Sequence, residues 1–295
     1  MVNQAAFTLV NKQTGNLAFK LFSFEDNSYF DHLQRNNYYS LIWVREGDGK
    51  LKTDFSEYDF GPDSLFAFTP YQPFMFLSNL IKGIAIFFHS DFFCIHKHET
   101  EVTCNGVIFN NIYQIPFIKV DEELKNTLNK TIEQIKTEMQ TPGLAQYELL
   151  ISYMKIFLIS ASRSKMQQQP QSVPSTGEGH EPAVLQNLKE AIEKDFKTRH
   201  TPKEYALLLN ISPNALAKIT KSHFNKTLTD LISERILIEA KRELYLTNKS
   251  VKEVAFELGY EDEFYFSRFF KKNVNISPQE YRKTVGFGKA ESNPV

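Results

Sequence analysis

Along this chain the spacing of apolar positions follows one period in the first part and another in the rest. Up to about residue 120, apolar and aromatic residues come in short runs: Tyr39-Ser-Leu-Ile-Trp-Val-Arg45, the alternating stretch Leu51 to Tyr58, Ser64–Thr69 and Gly83–His89. Glu46-Gly-Asp-Gly49 supplies residues that tolerate positive φ in a hairpin turn, Gly61-Pro-Asp63 is a second turn, and Pro70 and Pro73 bracket a loop. Short strands at this spacing predict an antiparallel sandwich or barrel over 1–120. After Pro116 the period becomes helical. Leu124, Leu128, Ile132 and Ile135 share one face, while Tyr147, Leu150, Ile151, Met154, Phe157 and Leu158 share another, with Thr141-Pro-Gly143 as the break. This is an αα-hairpin over 121–164, with helices at about 121–140 and 144–163. Its second helix carries more apolar positions than one packing face needs, so it is the expected dimerisation surface.

Residues 165–182 contain Gln-Gln-Gln-Pro, Pro174, Ser, Thr and two Gly, the composition of a flexible linker. From Ala183 every element reads as helical. Thr201-Pro-Lys-Glu204, Ser250-Val-Lys-Glu253 and Ser277-Pro-Gln-Glu280 are capping boxes, and Ser212 and Asp262 are further N-caps. Thr227 to Leu246 reads as one longer helix. A repeat runs through this domain at an offset of 49 residues, pairing Thr201 with Ser250, Glu204 with Glu253, Ala206 with Ala255, and Asn210 with Gly259. After one extra turn residue the offset is 50, pairing Leu216 with Phe266, Ile219 with Phe269, Lys221 with Lys271 and Asn225 with Asn275. Each copy is a short helix, a tight turn and a second helix, so the helix-turn-helix occurs twice.

Charge sharpens this reading. The 295 residues carry a net −1, but between 183 and 283 eighteen Lys and Arg stand against fourteen Asp and Glu. That surplus of four leaves the first 182 residues at −5, so only the C-terminal end suits an anionic partner. In each second helix the leftover positions at and after the N-terminus are Asn214, Ala217 and Lys218, then Glu263, Phe264, Ser267 and Arg268, where side chains reach base edges. Lys221, Ser222, Lys271 and Lys272 lie a turn later, suited to phosphates. Two cysteines make no disulfide framework, and Met1–Asn11 has no signal-like apolar core, which predicts a cytoplasmic protein without a membrane partner.

Val251-Lys-Glu-Val-Ala-Phe-Glu-Leu-Gly-Tyr-Glu-Asp-Glu-Phe-Tyr-Phe-Ser-Arg-Phe-Phe-Lys-Lys272, followed by Ile276-Ser-Pro-Gln-Glu-Tyr-Arg282, closely resembles the signature of the AraC/XylS family of bacterial transcription regulators. Arg235-Ile-Leu-Ile-Glu-Ala-Lys-Arg242 is similar to that family's linker helix, and the resemblance covers about 183–285, leaving a tail at 286–295. It implies a double helix-turn-helix domain that binds double-stranded promoter DNA, and a regulator that usually activates by contacting RNA polymerase. Where the family usually has Gly after each recognition helix this chain has Asn225 and Asn275. Where small residues are common it has Phe264, which leaves base preference in the second half-site open.

The N-terminal part resembles, by architecture, the cupin-type sensory domain that many such regulators carry. The fold class expected is therefore α+β multidomain: a β-sandwich or cupin-like barrel with a helical hairpin, then an all-α DNA-binding domain. Trp43, Arg45, Phe68, Tyr71 and Phe74 form the candidate pocket for a small-molecule effector, with Arg45 as a fixed cation for an anionic ligand. The competing reading makes these aromatics core and Arg45 a surface strand residue. Cys94-x-His96-x-His98 invites a metal reading, but the neighbouring Ser90-Asp-Phe-Phe93 and Lys97 read as loop and the Gly spacing of cupin metal motifs is absent. No metal, cofactor or catalytic grouping is expected. The alternative function is a metal-binding cupin enzyme or sensor with an appended DNA-binding domain.

Overall fold

The computed structural model describes residues 6–11, 15, 17–53, 56–78, 80–95, 107–109, 111–168 and 183–285. It divides into two compact units, Met1–Asn111 with Ile115–Gln169, and Ile112–Gln114 with Pro170–Val295.

In the first unit the strands are β1 (Phe7–Val10), β2 (Leu17–Phe24), β3 (Tyr39–Glu46), β4 (Gly49–Thr53), β5 (Glu57–Phe60), β6 (Ser64–Phe68), β7 (Phe74–Leu77), β8 (Lys82–Phe88) and β9 (Phe117–Lys119). Helices α1 (Glu122–Gln140) and α2 (Gln146–Gln167) follow. The strands form a six-stranded sheet in the order β1-β2-β8-β3-β6-β9 and a three-stranded sheet in the order β5-β4-β7, with every pairing antiparallel. One face of the larger sheet packs on the smaller through Ile42, Val44, Phe66, Phe68, Phe74 and Phe76. Its other face, with Leu41, Trp43, Leu65 and Ile86, packs under α1 and α2. Strands covered on both faces lose the inside–outside alternation of a half-exposed sheet, and β3 and β6 are accordingly buried almost throughout.

Two expectations are corrected here. Glu46–Gly49 does not close a hairpin. β3 and β4 belong to different sheets, and the turn carries the chain from one sheet to the other. Gly47 is required there because its φ is +94° and a Cβ would fall 2.2 Å from the Leu80 carbonyl oxygen. The stretch Leu51 to Tyr58 is likewise two strands, β4 and β5, paired with each other through Leu51 opposite Tyr58.

Helix α2 also runs past the expected end, through 165–167. Lys165 is buried and its ammonium donates to the carbonyls of Ile115 (2.8 Å) and Phe117 (2.6 Å), which holds the last turn against the chain entering β9. The rest of the expected linker, from 169 to 182, lies outside the described residues. The surplus of apolar side chains on α2 is spent inside the unit. Leu150, Met154 and Phe157 are fully buried because this helix packs against α1 and the sheet together, so they do not form an outward dimer face. Ile151 is partly buried against the same cluster, and the Tyr147 hydroxyl donates to the Asp91 carbonyl.

The second unit is helical: α3 (Ala183–Asp195), α4 (Pro202–Leu208), α5 (Pro213–Phe224), α6 (Leu228–Leu246), α7 (Val251–Glu257), α8 (Glu263–Val274) and α9 (Pro278–Val285). The caps are where the side chains predict them. Glu253 accepts from the Ser250 amide at 2.6 Å while Ser250 Oγ accepts from the Glu253 amide. Glu204 accepts from the Thr201 amide, and Asp262 from that of Phe264.

Candidate nucleic-acid interface

The two helix-turn-helix units are α4–α5 and α7–α8. Their turns are built alike: Asn210 has φ +57° and Gly259 φ +80°, and Ile211 N–H and Tyr260 N–H reach back to the carbonyls of Ala206 and Ala255, each at 3.0 Å. At Gly259 a side chain is impossible, since a Cβ would lie 1.9 Å from the Lys197 carbonyl oxygen. Asn225 and Asn275 end α5 and α8 in the left-handed conformation, as Asn tolerates.

The buried side chains keep the 50-residue repeat: Leu216, Thr220 and Phe224 on α5 match Phe266, Phe270 and Val274 on α8. Ile219 and Phe269, which the repeat also pairs, are only partly buried, and Thr220 and Phe270 take the central position. The opposite faces hold the candidate DNA-contacting residues. Asn214, Ala217, Lys218, Lys221 and Ser222 are exposed on α5; Phe264, Arg268, Lys271 and Lys272 are exposed on α8, with Glu263 and Ser267 half-buried. Among the described residues most of this set makes only local bonds or none, such as Lys221 Nζ to the Asn225 carbonyl and Ser222 Oγ to that of Ile219. Tyr265, also exposed, is a neighbour the sequence pattern did not single out.

Between the units, α6 is 19 residues long, about 28 Å at 1.5 Å per residue. It is stiffened by an acidic residue between two arginines. Arg235 bonds Glu239 at 3.2 Å and Glu193 at 2.8 Å, its guanidinium lies 3.9 Å from the Phe196 ring centre, and Arg242 bonds Glu239 at 2.9 Å. Burial alone would raise the Glu239 carboxyl, but the two guanidiniums hold it below the ordinary carboxylate range.

A helix-turn-helix domain family matches residues 205–284. Among proteins of known name, the raffinose operon transcriptional regulatory protein RafR of Pediococcus pentosaceus is 34% identical over 95 residues, which is 32% of this chain and 34% of RafR. An uncharacterized HTH-type transcriptional regulator in the cgkA 5′ region of Pseudoalteromonas carrageenovora is 30% identical over 126 residues, covering 41% of this chain and 75% of that protein. The chain belongs to the AraC/XylS family. The HTH-type transcriptional activator RhaS of Salmonella schwarzengrund matches at 25% identity over about half of each chain. Among solved structures, an apo single-residue variant of ToxT from Vibrio cholerae is 17% identical and covers 92% of this chain and 99% of its own, with a TM-score of 0.40. Thus this AraC/XylS member spans only about a third of RafR and about half of RhaS.

The candidate effector pocket does not come together as one site. Trp43 and Arg45 sit on the face of β3 under α1, whereas Phe68 and Phe74 stack at 3.9 Å in the sandwich between the sheets. Tyr71 lies in the intervening loop at φ +58°. The reason is the two-residue period of β3, which sends Trp43 and Ile42 to opposite faces. What does gather around Arg45 comes from elsewhere in the chain. Its guanidinium lies 4.3 Å from the Trp43 ring centre and donates to Asn129 on α1, with Asp63 and Glu133 as its acidic neighbours. Burial lowers the Arg45 guanidinium below its usual range, and those acids oppose the shift. Trp43 Nε1, Arg45 Nε and Asp63 Oδ1 are buried polar atoms with no hydrogen-bond partner among the described residues. Of the metal candidates, Cys94 is buried, while His96 and His98 lie outside the described residues. Among the described residues no group of three His, Cys, Asp or Glu side chains is arranged to hold a metal. No helix among them is long and apolar enough to cross a membrane.

Proposed function

We propose that this chain is a sequence-specific transcription regulator, an activator that places α5 and α8 in successive major grooves of promoter DNA. One observation carries the reading: both recognition helices bury one face in matched cores and leave the other face basic, exposed and little used by the fold. Asn214, Ala217, Lys218, Glu263, Phe264, Ser267 and Arg268 are its base-facing set, and Lys221, Ser222, Lys271 and Lys272 its phosphate-facing set.

RNA polymerase is the protein partner that family membership implies, and the cytoplasm the compartment. Homodimerisation, in this reading, uses the outward Leu149 and Ile156 of α2 in place of its buried positions. A small effector would be sensed at Trp43, Arg45 and Asp63, where three buried polar atoms have no hydrogen-bond partner among the described residues. Selection of duplexes from a random pool by the full chain tests the reading. Enrichment of a site, with log K falling by about 0.9 per neutralised phosphate against log salt, is expected. A pool that never enriches would refute it. The metal-dependent alternative predicts stoichiometric metal in the purified protein.

A further inference from the structure

Phe264 is 72% exposed at the second position of α8, within a chain that buries most of its phenylalanines. Folding does not need it there: among the described residues its ring joins no aromatic pair, and the position repeats Asn214 of α5 at the 50-residue offset. Its own amide is taken by Asp262 Oδ1 at 2.7 Å, so the backbone at this point has no free donor for a phosphate. Glu261, Asp262 and Glu263 directly precede it and bring negative charge to this end of the helix, which disfavours phosphate and offsets the positive end of the helix. An apolar ring held at the tip of a recognition helix, in an acidic setting, is therefore suited to the base edges.

On the floor of the major groove the apolar feature of an unmodified base pair is the C5-methyl of thymine. We propose that Phe264 sets the specificity of the second half-site by packing on a thymine methyl. The first half-site is read by a different chemistry, with Asn214 suited to the N6 and N7 atoms of adenine. This inference rests on the DNA-binding reading above and supplies the base class that the departure from the family's small residue left open.

The test uses the full chain and the duplex it selects from a random pool, with each thymine replaced singly by deoxyuridine, which differs only in lacking the methyl. At one thymine of the half-site bound by α8, the wild-type chain is expected to lose about four-fold in affinity, the worth of one buried methyl. Phe264→Ala should bind thymine and deoxyuridine equally at that position, while Arg268→Ala keeps the difference. Because Phe264 is exposed, the melting temperature of Phe264→Ala should match the wild type. Wild-type binding indifferent to every deoxyuridine overturns the proposal, as does a Phe264→Ala chain that keeps the full penalty. A Phe264→Ala chain with wild-type DNA binding and penalty but lost promoter activation assigns the ring to a protein partner and overturns it too. A pool that enriches no sequence is a separate failure: it removes the DNA-binding reading itself, and this inference with it.

Discussion

Lys226 Nζ donates to Glu234 Oε2 at 2.7 Å, with only 8% and 16% of the two side chains exposed. The pair ties the residue just after the first recognition helix to the long α6. Lys226 also donates to the Ile112 carbonyl of the same unit, so its ammonium is held from two sides. Removing the lysine takes this ion pair away from a carboxylate that is largely buried. Lys226→Met should destabilise the helical unit by about 1–3 kcal/mol, and adding Glu234→Leu should cost less than the two single losses summed. Urea titration of the single and double variants checks this.

The helix starts from α4 onward were readable because each is written in a side chain that bonds within three residues, as Ser250 and Glu253 do. The apolar repeat is local as well, so the two helix-turn-helix units stand where the pattern puts them. The sheet was another matter. Whether β4 follows β3 in one sheet or crosses to another depends on partners such as Phe76, 25 positions from Leu51, and no local signal encodes that. The effector candidates failed for a related reason. Arg45 meets Asn129, 84 positions away, and only the packing of α1 on the sheet brings them together.

Arg268 and Lys271 should behave differently when truncated. Arg268 makes no ion pair with Glu261 or Glu263, and its guanidinium stands 6.0 Å from the Tyr265 ring centre, so its loss should leave the melting temperature unchanged. Arg268→Ala should weaken the selected site by about 1–3 kcal/mol and relax preference at one position, whereas Lys271→Ala should weaken all sequences alike and lower the salt slope by about one. Specificity profiles of the two variants, set beside their melting curves, separate these outcomes.

Lys165 gives the first unit an alkaline signature. Burial pushes its ammonium down to about 8, while in the unfolded chain it titrates near 10.4. Between those values the unfolded chain binds more protons, so the wild type gains stability from this group as pH rises from about 8 to about 10.4. Lys165→Met lacks that gain, and the stability difference between the two should move in the wild type's favour over that window. Denaturation at pH 7, 9 and 10 measures it.

Glu239 works at the opposite end of the scale. Its carboxyl is held below the ordinary range by Arg235 and Arg242 despite its burial. The stability it contributes is complete above its unfolded value of about 4.3 and is lost as pH falls through the lower, folded one. Glu239→Gln should be less stable at neutral pH and show a flatter acid limb, as thermal melts between pH 3 and 7 would record.

The chain has one tryptophan, and it is Trp43, 1% exposed under α1 with the Arg45 guanidinium over its ring. Its emission is therefore a private optical channel for the β-sheet unit, since the helical unit has tyrosines but no indole. Far-ultraviolet dichroism, dominated by helix, records α1 and α2 of this unit together with the helices of the other. A denaturation recorded both ways shows, without cutting the chain, whether the sheet unit unfolds together with the helices. Any small molecule that displaces Arg45 from the indole will announce itself as a change in colour before its identity is known.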